Sequence, residues 1–292
     1  MRCLPVTVLL AVALSTTGPS FADDTAAPAA VGSAPYAQME RQFFAAANGL
    51  WNATTIEQKR ALTAEVAALT PKMLELAIQN PTDPVAFQAL VQTCKQAMWL
   101  ENNTAYAGGP AEAAADRAIA LLLRDHLGSE QLGEACNRLG YGFSGACETF
   151  LRTALRESPH REVRGVACLR LAQFLHGRAQ RLALLESRPD RARRYQQLFG
   201  KSYLDRLRRR SKTEAAAEFE RLFERAAREY GGLKNPSGGT IGDQARTELY
   251  EIRGLAVGKP APEIEGEDQD GLTLKLSDFR GKVVLLYFWQ HT

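Results

Sequence analysis

The chain has 292 residues, of which 45% are hydrophobic and 24% are charged, and its formal net charge is +3. These values are ordinary for a soluble globular protein and exclude a chain that is too polar to bury a core. The length is sufficient for two domains. Beyond the first residues, no apolar run is long enough to span a bilayer, so no internal transmembrane segment is expected.

The first residues have the pattern of a secretory signal peptide. Arg2 supplies a positive charge, residues 4–14 form an apolar run, and a site of the A-x-A type ends at Ala22. A membrane anchor would need roughly 20 apolar residues, so this run is too short to be one. The sequence therefore predicts a signal peptide over residues 1–22 and an exported protein, periplasmic or extracellular.

Residues 36–253 are predicted to form a helical domain, after a disordered linker at residues 23–35 that is rich in Ala, Pro, Gly and Ser. In the helical part, apolar residues recur at spacings of three and four, which is typical of amphipathic helices. Capping residues and cap–proline pairs predict new helices. These signals lie at 54–57, 70–71, 83–84 and 158–159.

Two long segments in this domain, residues 159–186 and 212–230, are predicted to pair as antiparallel helices of the tetratricopeptide kind. Small residues among the large apolar ones, Gly165, Ala167 and Ala172, would permit a close approach of the two backbones. No strict repeat of about 34 residues is visible, so a full array is not established. The prediction is therefore an irregular, tetratricopeptide-like helical domain.

A strongly basic block covers residues 161–210. It contains thirteen Arg and one Lys against two Glu and two Asp, a net charge of +10. Such a block can bind nucleic acid, but an exported protein without aromatic residues along a basic groove is not expected to do so. We expect solvated helix faces that pair with the Glu residues of 213–229. A role at an anionic envelope surface is the alternative.

Four cysteines remain after the predicted signal peptide, and none of them forms a C-x-x-C pair. Cys136 and Cys147 flank a glycine-rich turn, so they are either a disulfide or two packed thiols. Cys94 and Cys168 fall on apolar helix faces and are predicted to be core residues.

Three of the four histidines, His126, His160 and His176, have no partners at metal-ligand spacing. We expect them at helix ends or on the surface. The sequence thus predicts no catalytic, cofactor-binding or metal-binding residue.

The last segment, residues 254–292, has a different pattern. Pro260 and Pro262 favour an extended start, and Asp270-Gly271 is a two-residue turn signal. Beyond the turn, apolar residues alternate with polar ones, as in a strand with one buried face. The uninterrupted apolar run at 283–289 is typical of a strand buried on both faces.

Three ordered strings in this segment resemble the start of a redoxin domain. They read G-x-x-A-P-x-I at 258–264, D-G-x-x-x-x-L-S-D-F-R-G-K at 270–282 and V-V-L-L-Y-F-W at 283–289. This order is similar to that of thioredoxin-like thiol-disulfide oxidoreductases of the alkyl hydroperoxide reductase/thiol-specific antioxidant type. The resemblance implies a mainly α chain that ends in the β-hairpin and first core strand of an incomplete thioredoxin-like α/β domain. It also implies protein partners for thiol-disulfide exchange.

In that family a C-x-x-C motif follows the first core strand, after three linking positions that Gln290, His291 and Thr292 occupy here. The nucleophile would be residue 293. Thiol-disulfide exchange needs such a thiolate, so we expect residues 1–292 alone to be inactive, through truncation or degeneration. The alternative function is a helical protein-interaction or scaffold protein of the cell envelope.

Overall fold

The computed structural model of the protein describes residues 9–11, 34–81, 83–103, 109–142, 144–199, 212–268 and 270–287. It divides into two compact units. The larger unit covers residues 30–250, and the smaller one joins the N-terminal segment to the residues from Glu251 onward. The predictions for residues 1–8, 12–33 and 288–292 lie outside the described residues.

The larger unit is an irregular arrangement of helices, as predicted. The described helices are α1 Ala34–Asn52, α2 Ile56–Gln79, α3 Pro84–Asn103, α4 Gly109–Asp125, α5 Leu132–Leu139, α6 Gly145–Glu157, α7 Arg161–Ser187, α8 Pro189–Phe199, α9 Lys212–Glu229 and α10 Ile241–Gly254. Helices α1 to α4 pack on one another, and α7 packs on α5, α6 and α9. Helix α7 is therefore the central helix of the second half.

A hydrophobic core holds α1 to α4 together. The rings of Phe43 and Trp99 meet edge to face at 5.7 Å between centroids, a favourable geometry for aromatic pairs. Around them lie the buried residues Ala46, Ala47, Val66, Ala67, Leu69, Leu100 and Ala111. Helix α1 begins at Ala34, so the prediction of a linker was wrong for residues 34 and 35.

Two of the predicted helix starts are close to the observed ones. Helix α3 begins at Pro84, and the Asp83 carboxylate accepts a hydrogen bond from the Val85 amide at 2.8 Å, which confirms that signal. Helix α2 has a capping box, but it is formed by Thr55 and Gln58, so the predicted box was one residue too early.

Of the other two predicted starts, the one at Thr70-Pro71 was wrong and the one at Ser158-Pro159 was two residues too early. Pro71 lies inside α2, and the preceding Thr70 is buried and donates a hydrogen bond to the Val66 carbonyl at 3.2 Å. The buried side chains on both sides of Pro71 keep the helix continuous although proline cannot donate a backbone hydrogen bond. Ser158 ends α6, and α7 begins only at Arg161.

Helices α7 and α9 form the predicted antiparallel pair. The Arg161 side chain donates a hydrogen bond to the Glu229 carbonyl at 2.5 Å, and the Cys168 thiol donates one to the Leu222 carbonyl at 3.4 Å. As the residue number rises along α7, the number of the partner residue on α9 falls, so the two helices are antiparallel. Gly165 permits the close approach, since a Cβ there would lie 3.1 Å from Cβ of Tyr230.

The smaller unit contains a hairpin, a short helix and a further strand pair. Strands β2 (Glu265–Glu267) and β3 (Thr273–Lys275) are antiparallel, and a 3-10 helix follows at Leu276–Phe279. This bears out the predicted incomplete thioredoxin-like fold. The connection spans residues 268–272, so the predicted two-residue turn was too short. The Asp268 carboxylate accepts hydrogen bonds from the amides of Asp270 and Leu272 at 2.9 Å each.

The last described strand, β4 (Leu285–Tyr287), pairs in parallel with β1 (Leu9–Ala11), so the apolar run of the predicted signal peptide supplies its neighbour. Strand β4 is not buried on both faces as predicted, since Leu285 is 60% exposed and Tyr287 is 54% exposed. A strand is buried only where other elements cover it, and the described residues of this unit supply few of them.

None of the helices in the described ranges is both long and apolar enough to cross a membrane.

Candidate functional site

The four cysteines of the helical unit are free and buried, so Cys136 and Cys147 are packed thiols and not a disulfide. The prediction that Cys94 and Cys168 are core residues is confirmed. Burial raises the pKa of all four thiols, to about 12 for Cys147 and Cys168. A nucleophilic cysteine needs a lowered pKa and access to solvent. These thiols therefore have the properties of structural cysteines.

Of the three histidines for which a helix-end or surface position was predicted, two lie at helix ends. His126 follows α4, and His160 precedes α7 with its ring 2.8 Å from the Gly128 carbonyl. The prediction was wrong for His176, which lies inside α7 with its ring centroid 4.9 Å from that of Phe219 on α9. Among the described residues, no group of three or more His, Cys, Asp or Glu side chains could hold a metal ion.

The basic block is only partly a solvated surface. The exposed side chains include Arg188, Arg191 and Arg193. Arg178, in contrast, pairs at 2.8 Å with Glu148 of α6, and not with a Glu of α9 as expected. Glu148 also pairs with Arg152, which reaches Glu218 of α9 at 2.6 Å. This network ties α6, α7 and α9 together.

Within the described part of the basic block, Arg170 differs most from the predicted solvated surface, because it is only 3% exposed. It lies on α7 between the end of α5 and the loop that connects α9 to α10. Gly140, at the end of α5, makes room for it, since a Cβ there would lie 2.7 Å from Cβ of Arg170. Asn235 turns the loop back by donating its backbone amide to the Gly239 carbonyl at 3.0 Å. This turn brings Ser237 over Arg170.

We name this arrangement the Arg170 cluster: Arg170, Asn137, Tyr141, Gln173 and Ser237. One guanidinium nitrogen, Nη2, donates to Asn137 Oδ1 and to Ser237 Oγ, the latter at 2.7 Å. The other, Nη1, donates to Gln173 Oε1 at 2.6 Å. The Tyr141 ring lies against the guanidinium with its centroid 5.0 Å from Cζ. The cluster therefore joins three segments that are far apart in the sequence.

The charge of Arg170 is held without a carboxylate in direct contact. Burial lowers the pKa of this guanidinium, and the nearby charge of Arg138 lowers it further. Tyr141, whose ring lies against the guanidinium, and the more distant carboxylate of Glu248 offset part of the cost, because both interact favourably with a cation. Nε of Arg170 is buried and has no hydrogen-bond partner in the described surroundings.

A second polar group extends the cluster toward α10. The Glu248 carboxylate accepts hydrogen bonds from Gln173 at 2.7 Å and from Gln244 at 3.2 Å, and it lies 3.8 Å from His176 Nδ1. Burial by itself would raise the pKa of Glu248, but the three side chains around it outweigh burial and lower this pKa. Gln173 thus links the buried cation to the carboxylate.

Sequence reasoning missed the Arg170 cluster. One local signal existed, because Val166, Arg170 and Phe174 recur at four-residue spacing on one helix face and its apolar members are buried. An arginine in such a stripe points to a buried guanidinium. Its partners on α5 and in the loop could not be found in this way, because nothing in the sequence places them near α7.

Comparison with known proteins assigns only the C-terminal segment. Residues 257–292 match the AhpC/TSA family. No curated protein and no solved structure matches the chain. The matched residues include the hairpin, the 3-10 helix and β4. The chain therefore carries a redoxin-family segment at its C-terminus, and the helical unit precedes this segment in the sequence.

Proposed function

We propose that this protein is an exported member of the redoxin family in which a helical interaction unit precedes the redoxin segment. The match of residues 257–292 to the AhpC/TSA family carries the proposal. The basic residue, apolar run and small-residue site of residues 1–22 support export. Residues 23–292 are then the mature part of the sequence, and the N-terminal sequence of secreted protein tests this.

We further propose that residues 23–292 have no dithiol oxidoreductase activity. The four cysteines in this range are all buried, and their raised pKa values disfavour the thiolate that attacks a disulfide. Redox partners of the family type would have to react with thiols that solvent does not reach.

Insulin reduction by dithiothreitol tests this proposal. We expect residues 23–292 to leave the background rate unchanged, with a dithiol oxidoreductase as the positive control. A thiol reagent should label no cysteine in the native protein and all four in denaturant. A rate well above background, or labelling of the native protein, would contradict the proposal.

A second function, a helical interaction or scaffold protein of the envelope, is favoured by the junction of α1 and α2. Trp51 is 73% exposed and Ile56 is 65% exposed there. Exposed apolar side chains of this size mark a protein-binding surface where they form a contiguous patch. This function requires no thiol, so an inactive insulin assay is compatible with it.

A further inference from the structure

The Arg170 cluster leaves a buried positive charge surrounded by neutral oxygens. The hydrogen-bond acceptors around the guanidinium are the amide oxygens of Asn137 and Gln173 and the hydroxyls of Ser237 and Tyr141. Buried charges in proteins are normally paired, because removing an ion from water costs several kcal/mol. The nearby carboxylate of Glu248 contacts Gln173 and not Arg170.

None of the hydrogen bonds that Arg170 donates in the described structure goes to a carboxylate. Glu248 acts on the guanidinium electrostatically from beyond Gln173, and its effect on the pKa of Arg170 is larger than the opposing effect of Arg138. Glu248 already accepts two hydrogen bonds and lies beside His176. The surroundings of Arg170 therefore favour the binding of one further anion.

The guanidinium lies directly beneath the surface of the helical unit. Ser237, which bonds to Nη2, is exposed. Tyr141, whose ring lies against the guanidinium, is 37% exposed. A ligand group that takes the place of the Ser237 hydroxyl would reach Arg170 without any change in the helices, because Ser237 belongs to a loop.

We propose that Arg170, behind Ser237 and Tyr141, is a binding site for a carboxylate group. A carboxylate is planar and carries a single charge, so it matches one guanidinium and can accept the hydrogen bond from Nη2 that Ser237 accepts now. A phosphate dianion would call for more positive charge than this single buried cation. The carboxylate belongs either to a small organic acid or to a protein partner, and the Tyr141 ring would contact its apolar part.

This inference goes beyond the redox proposal and does not depend on it. All of its residues belong to the helical unit, whereas the family match lies in residues 257–292. A rate of insulin reduction above background would contradict the redox proposal, and a missing response to the carboxylate probes would contradict the present one. The two results are therefore independent.

The test is thermal unfolding of the full chain in the presence of carboxylate probes. One arm titrates succinate against sodium chloride at equal ionic strength. The other compares a short neutral peptide that ends in a free carboxylate with the same peptide as its amide. We expect the melting temperature to rise and saturate with a carboxylate probe, by about 3–5 °C at ten times its Kd. A response to succinate indicates a small acid, and a response to the peptide acid alone indicates a protein partner.

Two variants of Ser237 provide matched controls. Ser237→Asp places a carboxylate beside Arg170 from within the chain, so we expect a higher melting temperature without ligand and no response to the probes. Ser237→Ala removes the hydroxyl without adding charge and should keep the response. A wild-type protein without a saturable response, or a Ser237→Asp protein that responds like wild type, would overturn the proposal.

Discussion

Gly165 sets how closely α7 approaches the end of α9 and the start of α10. A Cβ at this position would lie 2.9 Å from the end methyls of Leu233 and Ile241 and 3.1 Å from Cβ of Tyr230. The two methyls can move, but Cβ of Tyr230 is fixed to its backbone. Contacts this short exceed what a packed core tolerates without a shift.

We therefore predict that Gly165→Ala destabilises the protein by about 1–3 kcal/mol, because overpacking outweighs the better helix propensity of alanine. Chemical denaturation measures the change. Gly177 lies on the same helix, and a Cβ there would have no atom within 4 Å apart from its own stretch of the helix backbone. Gly177→Ala should be neutral or stabilising by up to about 1 kcal/mol. Equal stability of the two variants would contradict the close packing at Gly165.

The contrast between Gly165 and Arg170 shows what single residues reveal from sequence. A small residue among large apolar ones predicts close packing, and that prediction holds because the signal is local to one helix. The environment of Arg170 was predicted wrongly as a solvated face, because a block of similar charges gave no reason to single out one member. Its burial depends on Gly140 and Ser237, which reach it only through the fold.

At the scale of elements, Glu248 links α10 to α7. Its carboxylate accepts hydrogen bonds from Gln173 of α7 and Gln244 of α10 and lies beside His176. Its pKa is lowered in the folded protein, so the folded state binds this proton more weakly than the unfolded chain. This contribution to stability is complete above the pKa of the unfolded chain. It is lost as the pH falls through the folded pKa.

We predict that Glu248→Gln lowers the free energy of unfolding at pH 7 by about 1–3 kcal/mol, since it removes a charged acceptor. The difference from wild type should begin to shrink below about pH 4.5, where the unfolded chain takes up this proton, and it should be lost as the pH falls through the lowered pKa of the folded protein. Denaturation of both proteins between pH 3 and pH 7 gives this difference. Glu251→Gln, at an exposed position on the same helix, is the control. A difference that stays constant with pH would refute the assignment.

Helix boundaries were predictable to the extent that their signals are local. Asp83 caps α3 through its own carboxylate, and such a cap depends on two or three residues. Thr70 and Pro71 form an equally good local signal, but the buried Met73 and Leu74 hold α2 together across it. Packing against other helices decides such cases, and the sequence of one helix does not contain that information.

At the scale of the molecule, the helical unit should fold without the redoxin segment. Its core belongs to helices that contact one another, and local helical contacts form without distant strand pairing. We predict that residues 34–254 give a helical circular dichroism spectrum and a cooperative melt. A fragment that ends at residue 230 should melt at a lower temperature, because it lacks Ile241 and Ala245, which are both buried. A disordered spectrum for residues 34–254 would contradict this prediction.

In the redoxin segment, the sequence predicted which elements form but not how deeply they are buried. Its ordered strings predicted the hairpin and the strand, because a turn and an alternating pattern are properties of adjacent residues. The burial of β4 was predicted wrongly, because burial is set by whatever covers the strand. Leu286 is half-buried while its two neighbours are exposed, so a run that is apolar throughout has only one covered face here.

The Arg170 cluster joins residues that are far apart in the sequence, and this separation affects the order of folding. The bond from Arg170 to Asn137 closes a loop of 33 residues, and the bond to Ser237 closes one of 67. Closing a longer loop costs more conformational entropy, and this cost is offset only when the contact at the end of the loop forms. The Ser237 loop should therefore dock on Arg170 after the end of α5 and detach before it. Its backbone amides would then exchange with solvent through a local opening while the amides of α7 stay protected.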